Sequence, residues 1–117
     1  MADQKARYEP VIERTRKEIE EILRGNDLEQ ICEALWSAVY YDPDWRWVQQ
    51  QCLNYLVHPD LSVRCCAAML LGVLAVFHKE LDVDLVVPAL HQAAEEAALR
   101  PWVEDSLSDI RHNIRFQ

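Results

Sequence analysis

The sequence predicts an all-α protein, a short right-handed α-solenoid built from three helical hairpins and about six helices. Only two of its 117 residues are glycine and half are hydrophobic, so the composition favours a folded helical chain over a sheet. Apolar residues recur three and four positions apart, which places them on one face of a helix. Short breaks fold each helix back against the previous one. We expect one domain over residues 1–117, long enough for a continuous core.

The first predicted hairpin covers residues 9–41. Its first helix extends over about residues 9–24, with charged residues between the apolar ones. Gly25 is expected to end this helix in the left-handed conformation, and Asn26 is expected to cap the next one. The second helix extends over about residues 27–41, and its apolar stripe comprises Leu28, Ile31, Leu35 and Val39.

The second predicted hairpin covers residues 43–78. Asp42 is a candidate cap for its first helix, and Pro43 fits the first helical position, where a missing N–H is harmless. The segment "HPD" ends that helix, because the residue before a proline avoids helical geometry. The next helix, at about residues 61–78, is almost wholly apolar or small after Arg64, so we expect it to be the central layer.

The third predicted hairpin covers residues 85–114. Its first helix extends from about Leu85 to Ala98, with Pro88 in the first turn or just beyond it. Pro101 begins the last helix, whose apolar face comprises Val103, Leu107, Ile110 and Ile114.

The second and third hairpins repeat with a period near forty residues. Val63 and Val103 each open a helix after a turn marked by proline. Paired helices with such a period are typical of a stacked α-solenoid. The segment "HPDLSVRCCAAMLLGVL" resembles the turn and second helix of a HEAT repeat, and the matching residues are Pro59, Asp60, Val63, Arg64, Ala67, Ala68, Leu71 and Gly72.

The HEAT resemblance gives Arg64 a structural role. It implies that the guanidinium reaches carboxylates and backbone carbonyls of neighbouring turns, with its stem on apolar surface. His58 stands where that family often has aspartate, and Glu104 stands where a last repeat would have arginine. The usual ladder of Asp–Arg pairs between repeats is therefore incomplete.

Composition and motifs narrow the function classes. The net charge of −8 argues against nucleic acid or an anionic membrane as the main partner, and residues 25–117 carry all of that excess. The longest apolar run is expected to be too short to span a bilayer, and the polar N-terminus has no signal-peptide core, so a cytoplasmic location is the default. No cysteine spacing fits a zinc site, and no motif offers a phosphate loop or nucleophile, so no metal, cofactor or catalysis is expected.

Turns between hairpins are expected at one edge of the solenoid, where aromatic anchors ringed by carboxylates would suit a basic protein partner. The same rings could instead close the gap between the first two hairpins, and that alternative stays open for Trp45 and Trp47. The candidate binding residues of this edge are Tyr40, Tyr41, Asp42, Asp44, Trp45, Trp47, Glu80, Asp82 and Asp84. A second acidic set on the expected concave face comprises Glu29, Glu33, Glu104, Asp105 and Asp109.

A small, acidic, single-domain helical chain of this kind resembles the immunity proteins of bacterial polymorphic-toxin and contact-dependent growth inhibition systems. The resemblance rests on size, charge and expected fold. It implies a cognate basic toxin domain, often a nuclease, that is neutralised in a tight complex. A general HEAT-like scaffold or adaptor is the alternative among binding proteins, and a small helical-repeat lyase is the alternative among enzymes.

Overall fold

The computed structural model of the protein describes residues 11–114. This part of the chain forms six α-helices and no β-strand, which confirms the all-α prediction. The match to the HEAT pattern is a separate question and stays a prediction. The helices are α1 (Arg16–Leu23), α2 (Leu28–Tyr41), α3 (Trp45–Tyr55), α4 (Leu61–His78), α5 (Val83–Ala93) and α6 (Arg100–Asn113), with a 3-10 turn (Ala97–Leu99) before α6.

Helix α4 is the centre of the fold. It packs against α2, α3 and α6, while α1 packs on α2 and α5 packs on α6. Helices α2, α4 and α6 therefore form one layer with α4 in the middle. The residues of α4 that lose their contact with solvent are Val63, Cys66, Ala67, Ala68, Leu70, Leu71, Gly72, Leu74 and Ala75.

Helices α4 and α6 approach each other closely at Gly72. A Cβ atom at this position would lie 2.8 Å from the Cα atom of Ser106 and 2.9 Å from its Oγ atom. The buried Ser106 hydroxyl donates a hydrogen bond to the carbonyl of Ala68, one turn earlier on α4. The close approach of the two helices therefore requires glycine at this position.

Arg64 joins the turns at one edge of the layer. Its Nη1 atom donates to the carbonyl oxygens of His58 and Pro59, both at 2.9 Å, and its Nη2 atom donates to Oε1 of Glu96 at 3.0 Å. The side chain is only 18% exposed. These are the kinds of contact that the HEAT resemblance implied, and they explain why a charged residue stands at the start of the most apolar helix.

The predicted start of α1 is wrong. The helix begins at Arg16 and not near Glu9, because residues 11–15 are not helical, and position 9 itself lies outside the described residues. Thr15 fixes the start: its hydroxyl accepts from the N–H of Glu18, and the Glu18 carboxylate accepts from the Thr15 N–H at 2.8 Å. This reciprocal capping box satisfies two backbone donors that the helix itself leaves unpaired.

The turn between α1 and α2 also differs from the prediction. Helix α1 ends at Arg24 in right-handed geometry, and Gly25 is not left-handed, since no glycine within residues 11–114 has a positive φ. The cap of α2 is Asp27 and not Asn26, because the Asp27 carboxylate accepts from the N–H of Gln30 at 3.2 Å. Both side chains are good caps, so residue type alone did not distinguish them.

The cap of α3 was assigned to the wrong aspartate. Asp44 is the N-cap, since its carboxylate accepts from the N–H of Trp47 at 3.2 Å, and Pro43 therefore precedes the helix. Asp42 follows the last residue of α2, and its Oδ1 atom accepts from the Asp44 N–H at 2.9 Å. The two carboxylates thus build one turn together.

Helix α5 begins and ends earlier than predicted, at Val83 and Ala93, with Pro88 inside it. The alanine-rich segment that follows has high helix propensity, but tertiary contacts end the helix. Arg100 donates from Nε to the carbonyl of Ala94 at 3.0 Å, and Leu99 is buried. Helix α6 consequently begins one residue earlier than the predicted proline start.

The length of α4 corrects one further expectation. With 18 residues and a mean hydropathy of 1.9, this helix is long and apolar enough to cross a membrane by length and composition alone. The sequence-based judgement that the apolar run is too short was therefore wrong. Packing against three other helices accounts for the same apolar character, because a central helix is apolar on most sides.

Candidate functional site

The two loops between hairpins lie at one edge, called the hairpin edge below. It contains the ends of α2 and α4 and the starts of α3 and α5. Nε2 of His78, at the end of α4, lies 3.1 Å from the carbonyl oxygen of Val39 in α2. The buried Gln49 of α3 accepts through its side-chain oxygen from the N–H of Asp82 at 2.7 Å. These contacts bring residues 42–44 and 79–82 to the same side of the molecule.

Asp42 and Asp44 are paired with a cation of their own chain. Arg16 donates from Nε and Nη2 to the two oxygens of Asp42, at 3.1 and 3.0 Å, and from Nη2 to Asp44 at 3.4 Å. The pKa of Arg16 is raised, first by its hydrogen bond to Asp42. The pKa of Asp44 is lowered, first by the hydrogen bond from the Trp47 N–H and then by Arg16. Both carboxylates thus serve the fold and carry little uncompensated charge.

Trp45 and Trp47 are half-buried, pack against the core, and each lies beneath an arginine. The guanidinium carbon of Arg16 is 4.2 Å from the ring centroid of Trp47, and that of Arg46 is 4.5 Å from the centroid of Trp45. Both distances allow cation–π attraction. Because Arg16 belongs to α1, its stacking on Trp47 of α3 favours the gap-closing alternative for this ring.

Exposed aromatic rings lie beside the hairpin edge, and the sequence indicated only some of them. The ring centroids of Tyr40 and Phe77 are 4.5 Å apart, and those of Trp36 and Tyr40 are 5.6 Å apart in an edge-to-face arrangement. Phe77 is 49% exposed and Tyr40 is 39% exposed. Tyr41 differs from these rings, since its hydroxyl donates to the carbonyl of Val11 at 2.9 Å and so holds the chain before α1.

The remaining acids of the hairpin edge surround the start of α5. Asp82 is its N-cap but makes no side-chain cap bond, Asp84 lies in the first turn, and Glu80 is exposed in the loop. The ammonium of Lys79 in the same loop donates to the side-chain oxygen of Asn113 at the end of α6. Within residues 11–114 these three carboxylates form no ion pair.

The outward side of the α2–α4–α6 layer, called the open face below, was not predicted as a unit. Residues three and four positions apart lie on one side of a helix, so each of the three helices contributes one stripe. The members are half-buried or exposed, and no helix within residues 11–114 covers them. The open face comprises Glu29, Glu33, Trp36 and Tyr40 of α2, Met69, Val73, Val76 and Phe77 of α4, and Trp102, Asp105 and Asp109 of α6.

Contacts with the neighbouring helices fix the orientation of the α4 stripe. Gly72 faces α6, with Oδ2 of Asp109 3.1 Å from the position that a Cβ atom would occupy, whereas Phe77 faces Tyr40 of α2. The side chain of Val76 lies between these two directions and is 37% exposed. The acids predicted for a concave face divide on α6, because adjacent helical residues point about 100° apart. Asp105 and Asp109 belong to the open face, and Glu104 lies on another side of the helix.

The cysteines and a surface groove offer no catalytic set. Cys66 donates a hydrogen bond to Cys32, which lowers the pKa of Cys32 and raises that of Cys66, and burial raises the pKa of Cys52 to about 12. No three His, Cys, Asp or Glu side chains within residues 11–114 could hold a metal ion. A groove of about 370 Å³ lies between α3 and α5, and its charged pair is Arg64 with Glu96, which already bridges two turns.

Comparison with known proteins gives one structural relation. No protein-family model matches the chain, and no curated protein sequence matches it. The chain is similar to a chain in the crystal structure of a CDI complex from Cupriavidus taiwanensis LMG 19424, with 26% sequence identity and a TM-score of 0.83. The similarity covers 91% of this chain and 96% of that chain. The protein is therefore structurally related, over nearly its whole length, to a component of a CDI complex.

Proposed function

We propose that this protein is an immunity protein of a contact-dependent growth inhibition system, and that it neutralises a cognate toxin domain by forming a tight complex with it. The observation that carries the proposal is the likeness to a chain of a CDI complex along almost the full length of both chains. The small size, the single helical layer of three second helices and the net charge of −8 agree with this role.

The proposed mechanism is binding without catalysis. A toxin domain that acts on nucleic acid carries basic residues around its substrate site, and an acidic protein covers such a surface by charge complementarity. The acids available for this purpose are those that the fold does not neutralise, such as Asp84 and Asp105, rather than the Asp42 and Asp44 pair held by Arg16. Opposite charge speeds the encounter of the two proteins, which an inhibitor of a cytoplasmic toxin requires.

A growth assay tests the proposal. The domain encoded by the gene that precedes this chain's gene in its native genome is expressed in a bacterial host from an inducible promoter, alone and together with this chain. We expect growth to stop in the first case and to continue in the second. The matched control is a chain with Leu71→Lys, which places a charge at a fully buried position and should lose protection together with the fold.

Two results would contradict the proposal. The first is a neighbouring domain that stops growth equally well in the presence of this chain. The second is protection that persists although the two purified proteins do not form a complex in gel filtration at micromolar concentration, because that result would indicate an enzymatic or indirect effect.

A further inference from the structure

We propose that the open face is the surface on which the toxin domain docks, with Tyr40, Val76 and Phe77 as apolar anchors. This inference rests on the proposed function and names the part of the molecule that performs it. It shifts the centre of the interface away from the hairpin edge, where the sequence placed it.

The apolar centre of the open face is the first reason. Phe77, Tyr40 and Val76 are 49, 39 and 37% exposed, and they lie beside the half-buried Met69 and Val73. The rings of Phe77 and Tyr40 hold each other at 4.5 Å, so they form a preorganised surface rather than separate flexible side chains. A contiguous exposed patch of aromatic and aliphatic groups is a mark of a protein-binding site, and aromatic residues often dominate the affinity of such sites.

The charge of the rim is the second reason, and it indicates which partner fits. Glu29 and Glu33 of α2 flank the apolar centre on one side, and Asp105 and Asp109 of α6 flank it on the other. Glu33 has a weak internal partner, with Arg14 at 3.8 Å, and the other three form no ion pair within residues 11–114. An apolar centre with an acidic rim fits a partner that presents an apolar side chain flanked by lysine or arginine.

The hairpin edge is less suitable by the same criteria. Its carboxylates Asp42 and Asp44 are paired with Arg16, and the ring of Trp47 is covered by the same arginine. A basic partner would have to displace this arginine before it could use either group. Glu80, Asp82 and Asp84 lack such a partner but border no comparably exposed aromatic cluster of their own.

Apolar substitutions with matched controls test the anchors. The probe is the purified neighbouring toxin domain, made catalytically inactive, and the readout is the Kd measured by biolayer interferometry. We expect Phe77→Ala and Val76→Lys each to raise the Kd at least about thirtyfold, which corresponds to about 2 kcal/mol at 1.4 kcal/mol per tenfold change. Leu85→Ala and Val57→Lys change residues that are 53 and 79% exposed and lie outside the open face, and they should change the Kd less than about threefold.

Two adjacent acids of α6 provide the charge test. Asp105→Lys reverses a charge on the open face, and Glu104→Lys makes the same change one residue away on another side of the helix. We expect Asp105→Lys to slow association about tenfold and to weaken its dependence on salt, whereas Glu104→Lys should retain more than about half of the parent rate. Circular dichroism of every variant verifies that the helical fold is kept.

The outcomes separate this inference from the proposed function. If the parent binds and protects while Phe77→Ala, Val76→Lys and Asp105→Lys bind as tightly as the parent, the open face is not the site and the immunity function stands. If the parent itself does not bind the neighbouring domain, both fail together. If the open face variants instead convert a dimer of this chain into monomers without affecting toxin binding, the occupant is a second copy and the inference is wrong.

Discussion

The substitution Gly72→Ala tests the packing that holds the open face together. The added methyl group would lie 2.8 Å from the Cα atom of Ser106 and 2.9 Å from its Oγ atom. The first of these atoms belongs to the backbone, so α6 as a whole must move away from α4. Overpacking of this kind costs about 1–3 kcal/mol, and we take the upper end because the obstacle is backbone. The higher helix propensity of alanine returns about 1 kcal/mol, so the expected net loss is about 2 kcal/mol.

Gly25→Ala is the matched control for this experiment. Gly25 has no positive φ, and the nearest atom to a Cβ there is the carbonyl oxygen of Ile22 at 3.4 Å, an ordinary contact. Alanine fits that position without strain and reduces the entropy of the unfolded chain, so we expect a gain of about 0.4–1 kcal/mol. If Gly25 were left-handed, as its position after a helix had indicated, the same substitution would destabilise the protein.

Urea unfolding followed by circular dichroism measures both variants. With a slope of about 2 kcal/mol per molar urea, Gly72→Ala should lower the midpoint by about 1 M, and Gly25→Ala should leave it unchanged or raise it slightly. The reasoning is refuted if Gly72→Ala is as stable as the parent, since α4 and α6 would then not be in backbone contact at this point. Ser106→Ala in the Gly72→Ala background removes the 2.9 Å contact only, so we expect no full recovery.

Three further predictions concern single side chains. Arg64→Ala should lower the free energy of unfolding by about 1–3 kcal/mol, and Arg64→Lys should recover only part, because one ammonium cannot reach two carbonyls and Glu96 together; urea unfolding measures both. The lowered pKa of Asp44 stabilises the fold above the unfolded-state pKa of about 4, and this contribution is lost as the pH falls through the folded-state value, so Asp44→Asn should show a shallower loss of stability below about pH 4 than the parent. Alkylation of the native protein followed by mass spectrometry should modify Cys32 before Cys52, whose thiol is buried with a pKa raised to about 12. Equal rates for these two cysteines would contradict the burial of Cys52.

The sequence predicted the centre of the fold better than its ends. The bounds of α4 and the structural role of Arg64 could be derived because an almost wholly apolar helix must be central and an arginine at its start must reach polar groups. The start of α1 could have been found from the Thr15 and Glu18 capping box, but the apolar periodicity extended past it. The caps at Asp27 and Asp44 each compete with an equally good cap nearby, and backbone geometry decides between them.

The open face illustrates a limit of pattern reasoning. Met69, Val73 and Val76 recur at helical spacing and therefore read as core residues of a central helix. Their exposure depends on which sides of α4 the helices α2 and α6 cover, and that follows from the close approach at Gly72 and the contact of Phe77 with Tyr40. Likewise, the pairing of Asp42 and Asp44 with Arg16 joins positions 26 and 28 residues apart, which no local pattern reveals.

Titration of the neighbouring toxin domain with this chain in a calorimeter tests the immunity function most directly. An inhibitor that acts by complex formation should bind one toxin domain per chain with a nanomolar Kd, which corresponds to about −12 kcal/mol. Residual toxicity in the same samples should fall in proportion to the added chain and vanish at equal concentrations. Binding weaker than about 1 μM, or loss of toxicity at a small fraction of the toxin concentration, would contradict neutralisation by a stoichiometric complex.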